Sequence, residues 1–464
     1  HRVLSLLERR DAETLEGSNE VHFYFFVNTS DAEQRANLRL ATVGAPTWWD
    51  AETGNITPLH VYSVIEDEDE KTMVLPLRFA PHESKLIVIE PTERPHVNTT
   101  NVDVESIRTE GNQVVVEGCV DEETTPFVEM LWNGEPLWLQ GERTPPLPSL
   151  ELSDGWTVER EDDNVLVLPD WQFRRGRHAP SPLERVKSLL GGDDWEPLPP
   201  RQPITPHPRP EPLERELPPT VTYRTTFEVL QVPPSLFLVM EPIDAPCEVY
   251  VNRQRVTLTS DDMGRWRDKG LPYADAHNLC ADITRLVKVG TNTVTLIADY
   301  YHAVVQPPTH LRRITCDLVP ERAWLVGDFQ VVRSFGGWAV TSAPQSSDVS
   351  HPHYAGTLIY RRMFSLPPDY VGKKLTLEIA GREPRAAPNV LKLEVNGQPV
   401  GVRWWLPLRF DVSSWLHEGE NALTLHVTNT AAPALRGEEQ PSGVLGSVRL
   451  VAQHRVVLRG PTTT

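Results

Sequence analysis

The sequence predicts an all-β, multi-domain protein. Three observations carry that expectation: short runs in which apolar and polar residues alternate, turn-forming dipeptides between those runs, and a strand-and-turn pattern that occurs twice in the second half. A chain of 464 residues exceeds what one hydrophobic core organises, so about three domains are expected. Apolar residues make up 39% and charged residues 23%, with 13 Trp, 10 Tyr and 12 Phe, which is ample material for packed interiors.

The elements follow in order. Residues 21–28, with His22-Phe23-Tyr24-Phe25-Phe26-Val27, are apolar on both faces and read as a central strand covered on each side. Segments 38–43, 73–79 and 85–90 are short and rich in branched residues, and they complete a β-sandwich domain over 1–95. The acidic run Glu66-Asp67-Glu68-Asp69-Glu70 lacks the glycine and alternating ligand spacing of a calcium loop and reads as a solvated hairpin tip. Strands are predicted at 114–117 and 127–132, with Asn133-Gly134 as a two-residue hairpin turn. Residues 178–219 hold 12 prolines in 42 positions, too many for a sheet or long helix, and form an insertion in a second domain over 96–330. Within the insertion, Ser181-Pro182-Leu183-Glu184 has the cap and first-turn residues of one short helix over 182–190. A third domain is expected over 331–455, followed by a tail over 456–464.

The repeat is the most informative feature. Tyr223-Arg224-Thr225-Thr226-Phe227 recurs as Tyr360-Arg361-Arg362-Met363-Phe364, and Glu248-Val249-Tyr250-Val251-Asn252 as Lys392-Leu393-Glu394-Val395-Asn396. The segment 282–292, beginning Asp282-Ile283-Thr284 and ending Gly290-Thr291-Asn292, returns at 411–421 as Asp411-Val412-Ser413 and Gly419-Glu420-Asn421. Leu391, Leu393 and Val395 alternate with Lys392 and Glu394, and Leu423, Leu425 and Val427 with Thr424, His426 and Thr428. Such strands have one buried and one wet face, the pattern of two antiparallel sheets packed as a sandwich.

These segments resemble the galactose-binding-like jelly rolls of glycoside hydrolases, whose strands and turns read V-N-G, D-[IV]-[ST] and G-x-N. Leu393-Glu394-Val395-Asn396-Gly397 through Trp404-Trp405, the segment 411–421, and Ser442-Gly443-Val444-Leu445-Gly446 are similar to the last domain of glycoside hydrolase family 106, the α-L-rhamnosidases. Tyr24-Phe25-Phe26-Val27-Asn28 and Trp48-Trp49-Asp50-Ala51-Glu52-Thr53-Gly54 resemble the β domain that follows that family's catalytic barrel. Trp324-Leu325-Val326-Gly327-Asp328-Phe329 and His353-Tyr354-Ala355-Gly356-Thr357 resemble its junction between two jelly rolls. The resemblance implies two jelly rolls in this chain and an acid and base carried on a (β/α)8 barrel N-terminal to them. About twenty residues precede Val21, and no stretch has the roughly 200 or more residues of alternating strands and helices that a barrel needs. No catalytic residue is therefore carried over.

Chemistry is weighed on the same residues. Sandwiches that bind sugars offer aromatic faces to the ring and polar groups to the hydroxyls from loops at one end. Trp404, Trp405, Trp266, Trp338 and Tyr354 are the candidate faces, and Arg403 the candidate for the hydroxyls. Against this stands packing: tryptophans also plug sandwich ends, one of the adjacent Trp404 and Trp405 is expected in the core, and Arg403 has many acids to pair with. His351 and His353 would need a third metal ligand and sit in a proline-containing loop, so they read as packing and no metal site is nominated. G-x-S-x-G, P-loop, H-E-x-x-H and C-x-x-C patterns do not occur. Cys119, Cys247, Cys280 and Cys316 lie 128, 33 and 36 residues apart and read as buried free thiols, with one bridge among them as the alternative.

With 45 basic and 64 acidic residues the net charge is −19, which disfavours nucleic acid and anionic membranes and favours neutral partners. No apolar run approaches the roughly 20 residues of a membrane span. The chain begins at His1 and not at methionine, so a longer parent polypeptide is expected, with an extracellular or periplasmic setting favoured. No cofactor is called for, and a structural calcium ion is neither required nor excluded. The expected function is the non-catalytic part of an α-L-rhamnosidase-like enzyme whose partners are a plant or microbial polysaccharide and the parent's barrel. A stand-alone carbohydrate-binding or surface-adhesion protein is the alternative, and a self-contained enzyme on the sandwiches ranks third.

Overall fold

Strands make up nearly all the regular structure of the computed structural model, which describes residues 4–9, 21–67, 70–121, 123–168, 170–181, 195–197, 220–242, 246–266, 277–299, 323–335, 337–342, 354–380, 390–429, 443 and 446–462. Among the described residues the helical turns are two short 3₁₀ segments, Asp261–Arg265 and Pro368–Tyr370. The all-β expectation is met, with several separate sheets. The helix expected over 182–190, His351, His353 and Cys316 lie outside the described residues. By proximity the chain divides into two compact units: His1–Glu159, Ile359–Val427 and Val444–Thr464 form one, and Arg160–Leu358 with Thr428–Gly443 the other.

In the first unit, a five-stranded sheet runs in the order Leu4–Arg9, His22–Asn28, Ser84–Glu90, Ala45–Trp49, Ile56–Pro58. A three-stranded sheet of Gln34–Leu40, Glu70–Phe79 and Ser63–Asp67 accompanies it. Their shared core holds Tyr24, Phe26, Leu40, Met73, Leu75, Phe79 and Ile87. His22–Asn28 is internal to its sheet, but it is not covered on both faces as its apolar run suggested. Strand alternation buries Tyr24, Phe26 and Asn28 and leaves Phe25 40% exposed on the opposite side. At the acidic run Asp67 pairs with Glu70 across antiparallel strands, and Glu68 and Asp69 lie outside the described residues.

A six-stranded sheet follows the order Asp103–Glu110, Gln113–Val120, Val448–Pro461, Lys374–Ile379, Leu408–Asp411, with Leu150–Glu151 also on Val448–Pro461. The 14-residue strand Val448–Pro461 pairs with Lys374–Ile379 along its first half and with Gln113–Val120 along its second. The expected tail at 456–464 is thus strand as far as Pro461, because Leu458 and Gly460 continue the inward alternation begun at Val448. Gly118 lies where a β-bulge brings Asp103 close; a Cβ there would sit 2.3 Å from the Asp103 carbonyl oxygen. Five further strands, Thr157–Arg160, Thr357–Leu366, Gly419–Thr428, Val390–Val395 and Gln398–Arg403, form another sheet in that order.

The second unit has a sheet built around Thr220–Val229 and Gly290–Asp299, and a four-stranded sheet of Asn164–Val167, Ala323–Gly327, Phe237–Met240 and Leu279–Asp282. A common core including Tyr223, Leu238, Val249, Leu296 and Leu325 lies between their apolar faces. The hairpin Gln330–Ser334 and Gly337–Thr341 joins this unit, with Gly337–Thr341 pairing parallel to Thr220–Val229. The boundary expected at 331 falls within that hairpin.

The repeat proves to be a conserved set of hydrogen bonds, one copy in each unit. Asn252 and Asn396 adopt left-handed φ of 56° and 53° at their turns, a conformation asparagine tolerates better than most residues. The Asn252 amide donates to Leu286 O at 2.8 Å and Asn292 Oδ1 at 3.0 Å; the Asn396 amide donates to Trp415 O at 2.9 Å and Asn421 Oδ1 at 3.0 Å. Asn292 and Asn421, each with no exposed surface, clasp their own loops by donating to Lys288 O and Gly290 O, and to His417 O and Gly419 O. The D-[IV]-[ST] turns match too: Asp282 accepts from Thr284 N–H and Asp411 from Ser413 N–H, while the hydroxyls of Thr284 and Ser413 accept from Leu236 and Leu375 N–H.

Candidate functional site

The exposed aromatic pair Trp404-Trp405 sits where the chain leaves one sheet for another. Strand Gln398–Arg403 belongs to the five-stranded sheet with Val390–Val395, and Leu408–Asp411 to the sheet with Lys374–Ile379. The residues between form a loop at the sheet ends, where side chains are free of the inward-outward alternation that strands impose. Both tryptophans are 45% exposed, so neither is the core residue that their adjacency suggested. Their rings lie 6.0 Å apart at 82°, giving two flat apolar faces nearly at right angles.

The loop is held from beneath by the segment 50–54. Asp50 closes that turn, accepting from Glu52 N–H at 2.9 Å and from the Thr53 hydroxyl at 2.6 Å, and Gly54 supplies its left-handed φ of 75°. This aims Glu52 at the tryptophan loop. Its side chain, 6% exposed, accepts from Trp404 N–H at 2.8 Å and pairs with Arg403 Nε at 3.3 Å. Burial raises the Glu52 carboxyl above the usual range; the Trp404 N–H and Arg403 oppose that rise.

Arg403 acts as a strut and not as a free hand for hydroxyls. Its Nε donates to Arg409 O at 2.9 Å, its Nη1 to Val402 O at 2.8 Å, and its guanidinium lies 5.1 Å from the Phe410 ring centre. The other candidates are in the second unit. Trp266 and Tyr354, each 1% exposed, are closed to a sugar ring. They anchor a neighbouring turn: Trp266 Nε1 donates to Asp163 Oδ2 at 2.9 Å and the Tyr354 hydroxyl to Asp162 O at 3.1 Å. Trp338 is half-buried with the Arg333 guanidinium 4.3 Å from its ring centre. The structure therefore brings Arg403, Trp404 and Trp405 together and adds Glu52, which the sequence reading left unassigned inside the Trp48-to-Gly54 motif.

The site presents apolar flats on a braced loop, which suits binding of a ring with one apolar face. Its carboxylates, Asp50 and Glu52, are engaged in the hydrogen bonds that build it. No family model matches the sequence, and no curated protein matches it. Among solved structures the chain is similar to a rhamnosidase from Novosphingobium sp. PP1Y, with 13% identity, 98% of this chain and 24% of that chain covered, and a TM-score of 0.32. It is also similar to the α-L-rhamnosidase of Streptomyces avermitilis complexed with L-rhamnose, with 13% identity, coverage of 98% and 40%, and a TM-score of 0.24. A glycosyl hydrolase family 2 member from Bacteroides cellulosilyticus shares 12% identity over 59% of this chain and 32% of its own, with a TM-score of 0.22. The chain thus spans 24%, 40% and 32% of the length of these three.

Proposed function

We propose that this chain is the non-catalytic, carbohydrate-associated β-sandwich part of an α-L-rhamnosidase-like glycoside hydrolase of family 106 type. In this reading it serves polysaccharide degradation outside the cytoplasm, beside a catalytic barrel of the same parent polypeptide. Residues 1–95 are the domain next to the barrel, and the two repeat copies are galactose-binding-like jelly rolls. The observation that carries the reading is the Trp404-Trp405 pair, 45% exposed on a loop that Glu52 and Arg403 brace.

Two measurements test it. Aryl rhamnosides and rhamnogalacturonan fragments incubated with the purified chain are expected to stay intact; turnover abolished by a substitution within the chain refutes the non-catalytic assignment. In affinity electrophoresis, rhamnogalacturonan is expected to retard the wild type, and Trp404→Ala or Trp405→Ala to remove the retardation with circular dichroism unchanged. A stand-alone carbohydrate-binding or adhesion protein would use the same loop, and the reading frame upstream of His1 separates the two.

A further inference from the structure

A second aromatic surface lies on the hairpin Phe127–Trp132 and Glu135–Gln140, in the first unit. The Asn133-Gly134 turn, with φ of 54° and 85°, sets its register so that Glu129 faces Trp138 and Phe127 faces Gln140. Val128, Met130, Leu137 and Leu139 point inward and are buried with Val97 and Leu458. The outward set is thereby fixed as Phe127, Glu129, Leu131, Pro136, Trp138 and Gln140. Trp138 is 55% and Leu131 52% exposed, although nothing in the core requires apolar residues on this side. The Trp138 ring stacks on Phe127 with centres 4.9 Å apart and planes 11° apart, a supported aromatic pair in which Trp138 keeps more than half of its surface exposed.

We propose that this sheet face is a second glycan-binding platform, taking a neutral polysaccharide chain laid flat across Trp138. The inference rests on the carbohydrate reading above and adds a site to it. Three features select the occupant. The outward set mixes apolar surface with the hydrogen-bonding side chains Glu129 and Gln140, matching a sugar that has one apolar face and hydroxyls at its rim. The set contains one acid and no base, so this face offers no cation to a phosphate or uronate group. At strand spacings of about 4.8 Å and 3.4 Å per residue, the three-stranded face covers roughly 300 Å². A stable protein interface needs about 800 Å² per partner, so the area suits a few sugar residues and falls short for a second copy of this chain.

The test is affinity electrophoresis of the full chain in galactomannan, xyloglucan, rhamnogalacturonan and polygalacturonate, comparing wild type, Trp138→Ala, Trp138→Phe and the Trp404→Ala/Trp405→Ala double variant. Trp138→Ala is expected to weaken binding to galactomannan or xyloglucan by about tenfold or more, while Trp138→Phe keeps most of it and the double variant leaves it in place. Binding of the neutral glycans that is unchanged by Trp138→Ala overturns this inference and leaves the loop site standing. Loss of neutral-glycan binding confined to Trp138→Ala supports it, while the loop site is overturned separately if the double variant retains rhamnogalacturonan binding. Absence of wild-type retention in every glycan overturns both, and a dimer in sedimentation that Trp138→Ala dissolves assigns the face to self-association instead.

Discussion

Replacing Asn421 by alanine tests the hydrogen-bond set that defines the repeat. In the native fold the Asn421 carbonyl oxygen accepts from His417 N–H at 3.1 Å and from the Asn396 amide at 3.0 Å. Its amide donates to His417 O at 2.7 Å and Gly419 O at 2.9 Å. Alanine removes all of these while leaving each partner in place. At roughly 0.5–1.5 kcal/mol net per bond the loss spans about 2–6 kcal/mol. Asn396 and His417 lie at the surface, where water re-satisfies part of the deficit, so about 3 kcal/mol is expected. For a cooperative unit of this size that lowers Tm by roughly 6–12 °C. Differential scanning calorimetry is the assay, with Glu420→Ala as an exposed neighbour expected to change stability by no more than about 0.5 kcal/mol. Asn292→Ala should act alike through the equivalent bonds of the other copy. A Tm for Asn421→Ala within about 2 °C of wild type would refute the claim that the repeat exists to place these asparagines.

Three further outcomes are expected. Because burial raises the Glu52 carboxyl, the folded state binds its proton more tightly than the unfolded chain; this group's contribution is most favourable below the unfolded carboxyl range and falls as pH rises through the folded value. Glu52→Gln should therefore gain relative to wild type between pH 4 and pH 7 in calorimetry, and a flat difference counts against the raised carboxyl. Burial, with the Glu105 carboxylate adding to it, pushes the Cys119 thiol up to about 12, and Cys280 is buried. Burial raises the Cys247 thiol as well, but the residue is exposed, so iodoacetamide at about pH 8 should modify Cys247 before Cys119 and Cys280 by peptide mass mapping, the latter two reacting once denaturant is added. Gly118→Ala, whose Cβ would press on the Asp103 backbone oxygen, should cost about 1–3 kcal/mol in chemical denaturation, and near-neutrality would contradict that close approach.

What the sequence disclosed is local. Asn133-Gly134 and Asn396-Gly397 turn their hairpins where read, since a two-residue turn is written in adjacent residues. Strand alternation at Leu391, Leu393 and Val395 is met residue by residue. Long-range features were not legible. Glu52 meets Trp404 across 352 residues, and no periodicity encodes that meeting. Trp266 and Tyr354 were indistinguishable from Trp404 as aromatic faces, because burial depends on what packs over a ring and not on the ring itself. The hairpin face with Trp138 was missed for a related reason. Its turn and strands were recognised, but which side of the sheet faced solvent awaited the inward placement of Leu137 and Leu139.

The strand Val448–Pro461 also has a consequence for biosynthesis. Its second half is the inner neighbour of Gln113–Val120, so that strand keeps one side unpaired until residue 461 has left the ribosome. At roughly 5–20 residues per second, the delay between the two is on the order of 20–70 s. Throughout it the Val114, Val115 and Val116 run offers an open hydrogen-bonding edge to any other nascent chain. Yield during expression should therefore depend on chaperone supply and on temperature during that window, even where the finished protein is stable.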